Sequence, residues 1–251
     1  MPGIQEDLIK EISKTGKPIA LVVYGGRSMT LENMLPYVDS VLYAWHLGTM
    51  AGPALADLIL GNTSPSGKMP VCLPRTVGQI PLYYNKKNTG RPNNEHHYVP
   101  YSSCYIDTDP QPLFPFGFGL TYTTFSYSNF KMSKTLIGFG ESLLVSVTVR
   151  NDGNVKADEI VFLFVRDLVG SFTRPVKELK DFVRVTLAPG ESTNVPFVLS
   201  SDKLKFWTQD KEWKAEAGKF NVWIGPNADQ GDMGSFELVG NQMKEEFECL
   251  E

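Results

Sequence analysis

One run of residues divides this sequence into two parts that differ in hydrophobic periodicity. The run is LFPFGFGLTYTTF, residues 113–125. Before it, apolar residues recur at helical spacing or form short continuous runs, and after it they alternate with polar residues. Continuous apolar runs are typical of parallel strands buried on both faces, whereas alternation is typical of strands with one solvated face. The sequence therefore predicts an α/β domain over residues 1–120 and an all-β domain over residues 121–251.

The first domain has the alternation of helices and strands that is typical of a parallel sheet. Helices are predicted over residues 4–12 and 52–60, and a short helix broken near Pro36 is predicted over residues 29–38. Strands buried on both faces are predicted over residues 19–24 and 40–45. Because an open sheet normally has more than two strands, we expect a partial α/β sandwich, the second half of such a domain. A Pro/Gly-rich linker over residues 62–118 completes this region.

The second domain has the pattern of a β-sandwich. Alternating apolar residues at 143–149, 183–187, 195–199 and 220–224 predict half-buried strands, and residues 160–165 predict a more fully buried one. Turn residues such as those at 151–154 separate the strands. About seven strands in roughly 100 residues indicate an immunoglobulin-like sandwich. The Cys…Trp…Cys pattern of true immunoglobulin domains is missing, which argues against such a domain and is consistent with a fibronectin type III-like one.

Charge and composition exclude several classes of partner. The chain carries 24 basic and 28 acidic residues and a net charge of −4, so the sequence predicts no nucleic-acid partner. No apolar stretch reaches the roughly 18 residues that a membrane helix needs, so no membrane partner is expected. The first residues show no secretory signal. Cys72, Cys104 and Cys249 lack metal-binding spacing; idle thiols are favoured, and a Cys72–Cys104 bridge remains an alternative.

Several short motifs in a fixed order resemble glycoside hydrolase family 3, the β-glucosidase family. They are WHLGTMAGPALADLILG at 45–61, PSGKMP at 65–70, NTGRP at 88–92, the run at 113–125, RPVKEL at 174–179 and LAPGES at 187–192. The resemblance covers almost the whole chain, and the element at 88–92 resembles the periplasmic bacterial branch. It implies a parent enzyme that hydrolyses terminal β-D-glucosyl residues by a retaining mechanism, in the periplasm or secreted.

The same resemblance implies that this chain contains no catalytic residue. The family's nucleophile is an Asp in an N-terminal (β/α)8 barrel, which these residues do not resemble. Its acid/base, usually a Glu, precedes a segment similar to residues 1–9, where this sequence starts. The other carboxylates before the sandwich form no motif and are interpreted as solvated surface charges. They are Glu6, Asp7, Glu11, Glu32, Asp39, Asp57, Glu95, Asp107 and Asp109.

His46 is the one candidate for substrate binding. It follows a predicted buried strand, at the edge where open α/β sheets place ligands. The alternative is a structural hydrogen bond. No metal site is predicted, because His96 and His97 are adjacent and no third ligand stands at a recognised spacing. No cofactor is expected either, since the turn after Tyr24 lacks a nucleotide-binding glycine pattern.

Aromatic side chains offer a further way to contact a sugar. Tyr83, Tyr84, Trp45 and Trp207 can stack on sugar rings, although burial in the protein is the commoner outcome.

Three functions follow from these observations. The first is the C-terminal part of a β-glucosidase, inactive alone because its nucleophile and acid/base are missing. The second is a non-catalytic carbohydrate-binding or interaction module. The third is one subunit of a split glycosidase, whose partner chain bears the missing barrel. An exposed sheet edge would also permit a homodimer.

Overall fold

A computed structural model of the chain describes residues 3–93 and 95–240. The chain divides into two compact units. The first comprises Met1–Ser64, Met69–Tyr83 and Arg91–Phe116. The second comprises Pro65–Lys68, Tyr84–Gly90 and Gly117–Glu251.

The first unit contains a two-stranded parallel sheet and two helices. In chain order the elements are α1 (Gln5–Ser13), β1 (Ala20–Tyr24), β2 (Ser40–Trp45) and α2 (Ala51–Ile59). Strand β1 pairs with β2 in parallel, with Ala20 opposite Ser40. The predicted strands and the predicted first and last helices are therefore confirmed. A small apolar core holds them together and consists of Ile9, Val23, Leu31, Met34 and Leu73.

Two predictions for this unit are wrong. The short helix expected over residues 29–38, broken near Pro36, is reduced to a three-residue 3-10 turn, Leu35–Tyr37, which contains Pro36 itself. The strands are also not buried on both faces: within β1 only Val23 is fully buried, and Tyr24 is exposed. No residue of α2 is buried either. Two strands and two helices offer too few layers to cover both faces of the sheet.

The second unit is a β-sandwich, as predicted. Its strands in chain order are β3 (Phe125–Met132), β4 (Leu136–Gly138), β5 (Ser142–Asn151), β6 (Ala157–Asp167), β7 (Glu178–Leu187), β8 (Ser192–Ser200), β9 (Phe206–Trp207), β10 (Trp213–Lys214), β11 (Gly218–Gly225) and β12 (Asp232–Val239). One sheet has the order β4-β12-β11-β6-β7 and the other the order β3-β5-β8. Strands β9 and β10 form a separate short hairpin. Short β4 pairs with β12 in parallel, which the alternation pattern did not predict.

The sandwich core follows the predicted alternation. Leu143, Val145 and Val147 of β5 are fully buried, and their partners in β8 are Leu199, Phe197 and Val195 in that order. Strand β6 is the most continuously buried, in agreement with its longer apolar run. Burial of a Leu, Val or Phe side chain stabilises a fold by roughly 1.5–3 kcal/mol, so this shared core is the main source of stability of the unit.

One piece of the predicted linker belongs to the sandwich unit through a buried ion pair. Lys68 Nζ lies 3.1 Å from Glu159 Oε1, and the two side chains are 7% and 3% exposed. Tyr127 OH donates a hydrogen bond to the same oxygen at 2.8 Å. Burial, and then the Glu159 charge, raises the pKa of Tyr127 far above its usual range. The PSGK part of the motif at 65–70 thus anchors this segment to β3 and β6.

A second piece of the linker also lies on the sandwich. Leu179 N donates to Tyr84 OH at 3.3 Å, and Val176 N donates to Lys86 O at 2.9 Å. Among the residues described, no helix is long and apolar enough to cross a membrane.

Candidate functional site

The carboxyl ends of β1 and β2 meet at one edge of the parallel sheet. Gly25 N, just after β1, donates a hydrogen bond to Trp45 O at the end of β2, over 3.2 Å. Trp45 has φ +53, a left-handed conformation that turns the chain out of the strand. The residues after each strand, Gly25–Arg27 and His46, are therefore brought to the edge where open α/β sheets bind ligands.

His46 is exposed at this edge and lies against a glycine. A Cβ atom added to Gly26 would come within 2.5 Å of His46 Nε2, so any side chain at position 26 would displace the imidazole. His46 makes no hydrogen bond to another residue within 3–93 and 95–240, so the structural bond considered as the alternative is absent there. In the neutral form its two ring nitrogens are one donor and one acceptor.

Tyr43 holds the neighbouring turn in place. Its hydroxyl donates to Arg27 O at 2.5 Å, and its ring centroid lies 4.7 Å from that of Trp45. Burial raises the pKa of Tyr43, so it remains a neutral donor. Tyr43 of β2 thus supports the turn that contains Gly26, the residue against which His46 lies.

A polar network lies elsewhere in the first unit, centred on Arg75. Arg75 Nη1 lies 2.6 Å from Glu32 Oε1, and Arg75 Nη2 lies 3.4 Å from Asp109 Oδ2. His96 Nδ1 is 3.0 Å from the same Asp109 oxygen. Buried Gln79 accepts a hydrogen bond from Arg75 N at 2.6 Å and donates one to Asp109 O at 2.8 Å. The network ties together loops that are distant in sequence.

The network corrects the interpretation of two carboxylates as solvated charges. Asp109 is only 19% exposed and, like Glu32, is paired with Arg75. Burial alone would raise the pKa of Asp109, but hydrogen bonds from Gln111 N and His96 and the charge of Arg75 lower it overall. Arg75 and Gln79 carried no signal in the sequence, because neither lies in a recognisable chemical motif.

The aromatic candidates differ in exposure. Tyr84 contacts the sandwich, with its ring 6.0 Å from that of Phe164, while Trp45 is half-buried. Tyr83 and Trp207 are 61% and 58% exposed, so the expectation of burial is wrong for these two. Neither had a burial signal of its own in the sequence, because exposure depends on which strands and loops cover a position.

Comparison with known proteins explains this combination of units. Residues 1–122 match the glycosyl hydrolase family 3 C-terminal domain, and residues 159–228 match the fibronectin type III-like domain. The chain belongs to glycosyl hydrolase family 3. The resemblance and the fold class expected from the motifs are therefore confirmed.

Relatives of this family 3 chain are much longer than it is. It is 42% identical over 239 residues to a periplasmic beta-glucosidase of Salmonella typhimurium, covering 95% of this chain and 31% of the relative. It is 37% identical to a putative beta-xylosidase of Formosa agariphila, covering 94% of this chain and 30% of the relative. The crystal structure of a β-glucosidase from Listeria innocua in complex with isofagomine superposes with a TM-score of 0.91 at 35% identity, over 96% of this chain and 34% of that one. The chain thus spans about a third of the length of these relatives.

The remaining polar candidates of the family 3 chain have ordinary surroundings. Asp57 is exposed on α2, as predicted, and accepts a hydrogen bond from Asn62 Nδ2 at 3.1 Å. His96 pairs with Asp109, and the described residues contain no group of three or more side chains suited to a metal ion. Cys72 and Cys104 carry thiols and are not joined in a disulfide, while Cys249 lies outside the described residues.

Retaining glycoside hydrolysis sets requirements against which two carboxylates of the first unit, Glu32 and Asp109, can be compared. That reaction requires one ionised carboxylate and one carboxyl group held protonated, about 5–5.5 Å apart. Asp109 and Glu32 both pair with Arg75, and the pKa of Asp109 is lowered, so Asp109 does not fit the role of the protonated carboxyl group.

Proposed function

We propose that this chain is the C-terminal part of a retaining β-glucosidase that acts on terminal β-D-glucosyl residues. The observation that carries the proposal is the strand-end edge of β1 and β2, where His46 lies exposed against Gly26. It occurs in a chain that is 42% identical to a periplasmic beta-glucosidase. By the same similarity, the intact enzyme is periplasmic or secreted.

In this proposal His46 binds the substrate. An exposed imidazole at a strand end can donate to one sugar hydroxyl and accept from another. The Gly26 backbone leaves room for the ring, and Tyr43 fixes the adjacent turn through Arg27 O. In an active enzyme containing this chain, His46→Ala raises KM for an aryl β-D-glucoside about tenfold, as expected for the loss of a hydrogen bond or two to a neutral sugar. Asp57→Asn, on exposed α2, is the matched control and leaves KM unchanged.

The chain by itself is proposed to be inactive. A retaining mechanism needs a nucleophile and an acid/base, and the family 3 motifs that this chain shares include neither group. A partner chain bearing a family 3 barrel would supply the missing groups. The two-stranded sheet and unburied α2 give such a partner a surface to bind.

The experiment is hydrolysis of an aryl β-D-glucoside by the purified chain, with and without a barrel-bearing partner chain. We expect no turnover by the chain alone and turnover when the partner is added. Turnover by the chain alone would contradict the absence of catalytic carboxylates. If gel filtration showed that the complex with the partner forms and this complex gave no turnover, the proposed activity would be contradicted.

A further inference from the structure

The hairpin β9–β10 presents two tryptophans side by side. Trp207 and Trp213 are directly opposite in the antiparallel pair, so their side chains project from the same face. They are 58% and 63% exposed, whereas Phe206, on the opposite face, is buried. Cross-strand neighbours of this kind have Cβ atoms about 4.5–5.5 Å apart, so the hairpin exposes both indoles to solvent on the same side.

The backbone that carries these tryptophans is well supported. The guanidinium of Arg174 lies 3.9 Å from the centre of the Phe206 ring, which anchors the buried face of β9. In the turn, Thr208 N donates to Glu212 O at 3.0 Å, and Lys211 N donates to Thr208 O at 3.0 Å. These bonds close the turn, so the backbone of the hairpin is already ordered before a ligand binds. Binding therefore costs little conformational entropy in this backbone.

Both indoles are more exposed than is usual for a tryptophan that stabilises a fold, and ligand binding would explain this exposure. A tryptophan that stabilises a fold buries most of its large apolar surface, and its N–H usually finds a partner. Across residues 3–93 and 95–240, neither Trp207 nor Trp213 forms a hydrogen bond through its indole N–H. Two neighbouring exposed aromatic rings with available donors are typical of a ligand-binding surface.

We propose that Trp207 and Trp213 form a platform that binds β-linked gluco-oligosaccharides. Every ring substituent of β-D-glucopyranose is equatorial, so both faces of the ring present only C–H bonds. Such a face loses apolar surface to water when it lies on an indole. The exposed side chains of Gln209 and Lys211 lie in the adjoining turn and offer hydrogen bonds to the hydroxyls at the sugar's edge.

A β-linked chain suits this surface better than a single sugar. Successive β-linked glucose rings keep their flat faces exposed along an extended chain, and two indoles side by side can contact more than one ring. The choice of glucose rests on the proposed β-glucosidase function, whereas the platform itself rests on the hairpin geometry. The platform would hold a long substrate on the enzyme between cleavage events.

The test is isothermal titration of the full chain with cellohexaose, a β-linked oligosaccharide. We expect saturable binding that weakens about tenfold or more in Trp207→Ala and in Trp213→Ala, the loss typical of an anchoring tryptophan. The matched control is Phe182→Ala, which removes another aromatic side chain, 59% exposed, from β7 of the same unit. Its affinity should equal that of the unmodified chain. Maltohexaose, the α-linked isomer, should bind at least about tenfold more weakly.

Thermal unfolding keeps the test interpretable. Both tryptophans are exposed, so their substitution should leave the midpoint of unfolding unchanged and exclude misfolding as a cause of lost binding. The proposal would be overturned if the chain did not bind cellohexaose, or if the tryptophan variants bound it as tightly as the unmodified chain. It would also be overturned if the unmodified chain bound maltohexaose as tightly as cellohexaose. Because the titration needs no turnover, its failure is separate from failure of the hydrolysis experiment, which measures the proposed function.

Discussion

At the level of single residues, the most consequential contact is the buried pair of Lys68 and Glu159. Both side chains are more than nine-tenths buried, and Tyr127 donates to the same carboxylate. Removing one partner of a buried pair leaves the other charge without compensation, which costs about 3–5 kcal/mol. Lys68→Met keeps the side-chain volume and removes the charge. We expect it to lower the free energy of unfolding of the sandwich unit by that amount in denaturant titrations.

Two further variants show whether the uncompensated charge of Glu159 causes the loss of stability in Lys68→Met. Lys68→Met/Glu159→Gln removes both charges, so it should recover much of the stability lost in the single variant. Lys214→Met serves as the control, because Lys214 forms an exposed pair with Asp210 and such pairs contribute little. A single variant as stable as the unmodified chain would show that Glu159 is solvated or protonated.

Asp109 gives the first unit a predictable response to acid. Its pKa is lowered in the folded state through Gln111 N, His96 and Arg75, in spite of burial. A carboxyl group with a lowered folded pKa stabilises the fold above its unfolded pKa, about 3.9, and loses that contribution as pH falls through the folded value. Asp109→Asn should therefore destabilise the first unit at pH 7 and have little effect near pH 2.

Measurement of unfolding at a series of pH values checks this expectation. The difference in unfolding free energy between the unmodified chain and Asp109→Asn should shrink between about pH 5 and pH 2. Asp57→Asn is the control, since Asp57 is exposed and its carboxylate accepts a hydrogen bond from nearby Asn62. A difference that stays constant over this range would mean that Asp109 does not titrate against Arg75 and His96.

At the level of elements, prediction from sequence succeeded where the pattern was local. The alternation of Leu143, Val145 and Val147 predicted the inward face of β5, and the apolar runs predicted β1 and β2. It failed over residues 29–38, where the sequence predicts a short helix broken near Pro36 and the structure has only the 3-10 turn Leu35–Tyr37. His46 was placed at the strand end by topology alone. The polar network of Arg75 and Gln79 could not be predicted from the sequence, because contacts between residues distant in sequence leave no local pattern.

The linker is the element whose position depends most on long-range contacts. Composition indicated a connecting segment over residues 62–118, but Lys68 and Tyr84 bond to strands of the sandwich. A fragment of residues 121–251 lacks both contacts, whereas a fragment of residues 65–251 keeps them. We expect both fragments to unfold cooperatively, with the longer one more stable in thermal and denaturant unfolding. Glu159→Gln should stabilise the shorter fragment, where Lys68 is absent, and destabilise the longer one.

The two fragments also test the independence of the sandwich. Its eight main strands form their own core, which is the condition for folding alone. A fragment 121–251 without a cooperative transition would contradict this expectation. Equal stability of the two fragments would show that the Lys68 and Tyr84 contacts contribute nothing to the fold.

At the level of the whole molecule, the exposed apolar surface of the first unit predicts association. Leu60, just after α2, is 75% exposed, and Met50 and Ile59 at the ends of this helix are 67% and 53% exposed. The sheet formed by β1 and β2 has only two strands, so within the described residues each has an edge without a partner. Apolar patches and open strand edges both favour self-association. The chain alone should therefore form homodimers or larger species at micromolar concentration.

Sedimentation velocity with charge substitutions distinguishes this surface from the sandwich. Leu60→Glu places a charge in the apolar patch, so it should shift the population towards monomer. Val198→Glu is the control, because Val198 is similarly exposed but lies on β8. If Leu60→Glu and Val198→Glu weakened association equally, general charge repulsion would be the cause. If the unmodified chain were a monodisperse monomer, the prediction would be contradicted. If a barrel-bearing partner covers the same patch, adding it should replace homodimers by a one-to-one complex that Leu60→Glu weakens.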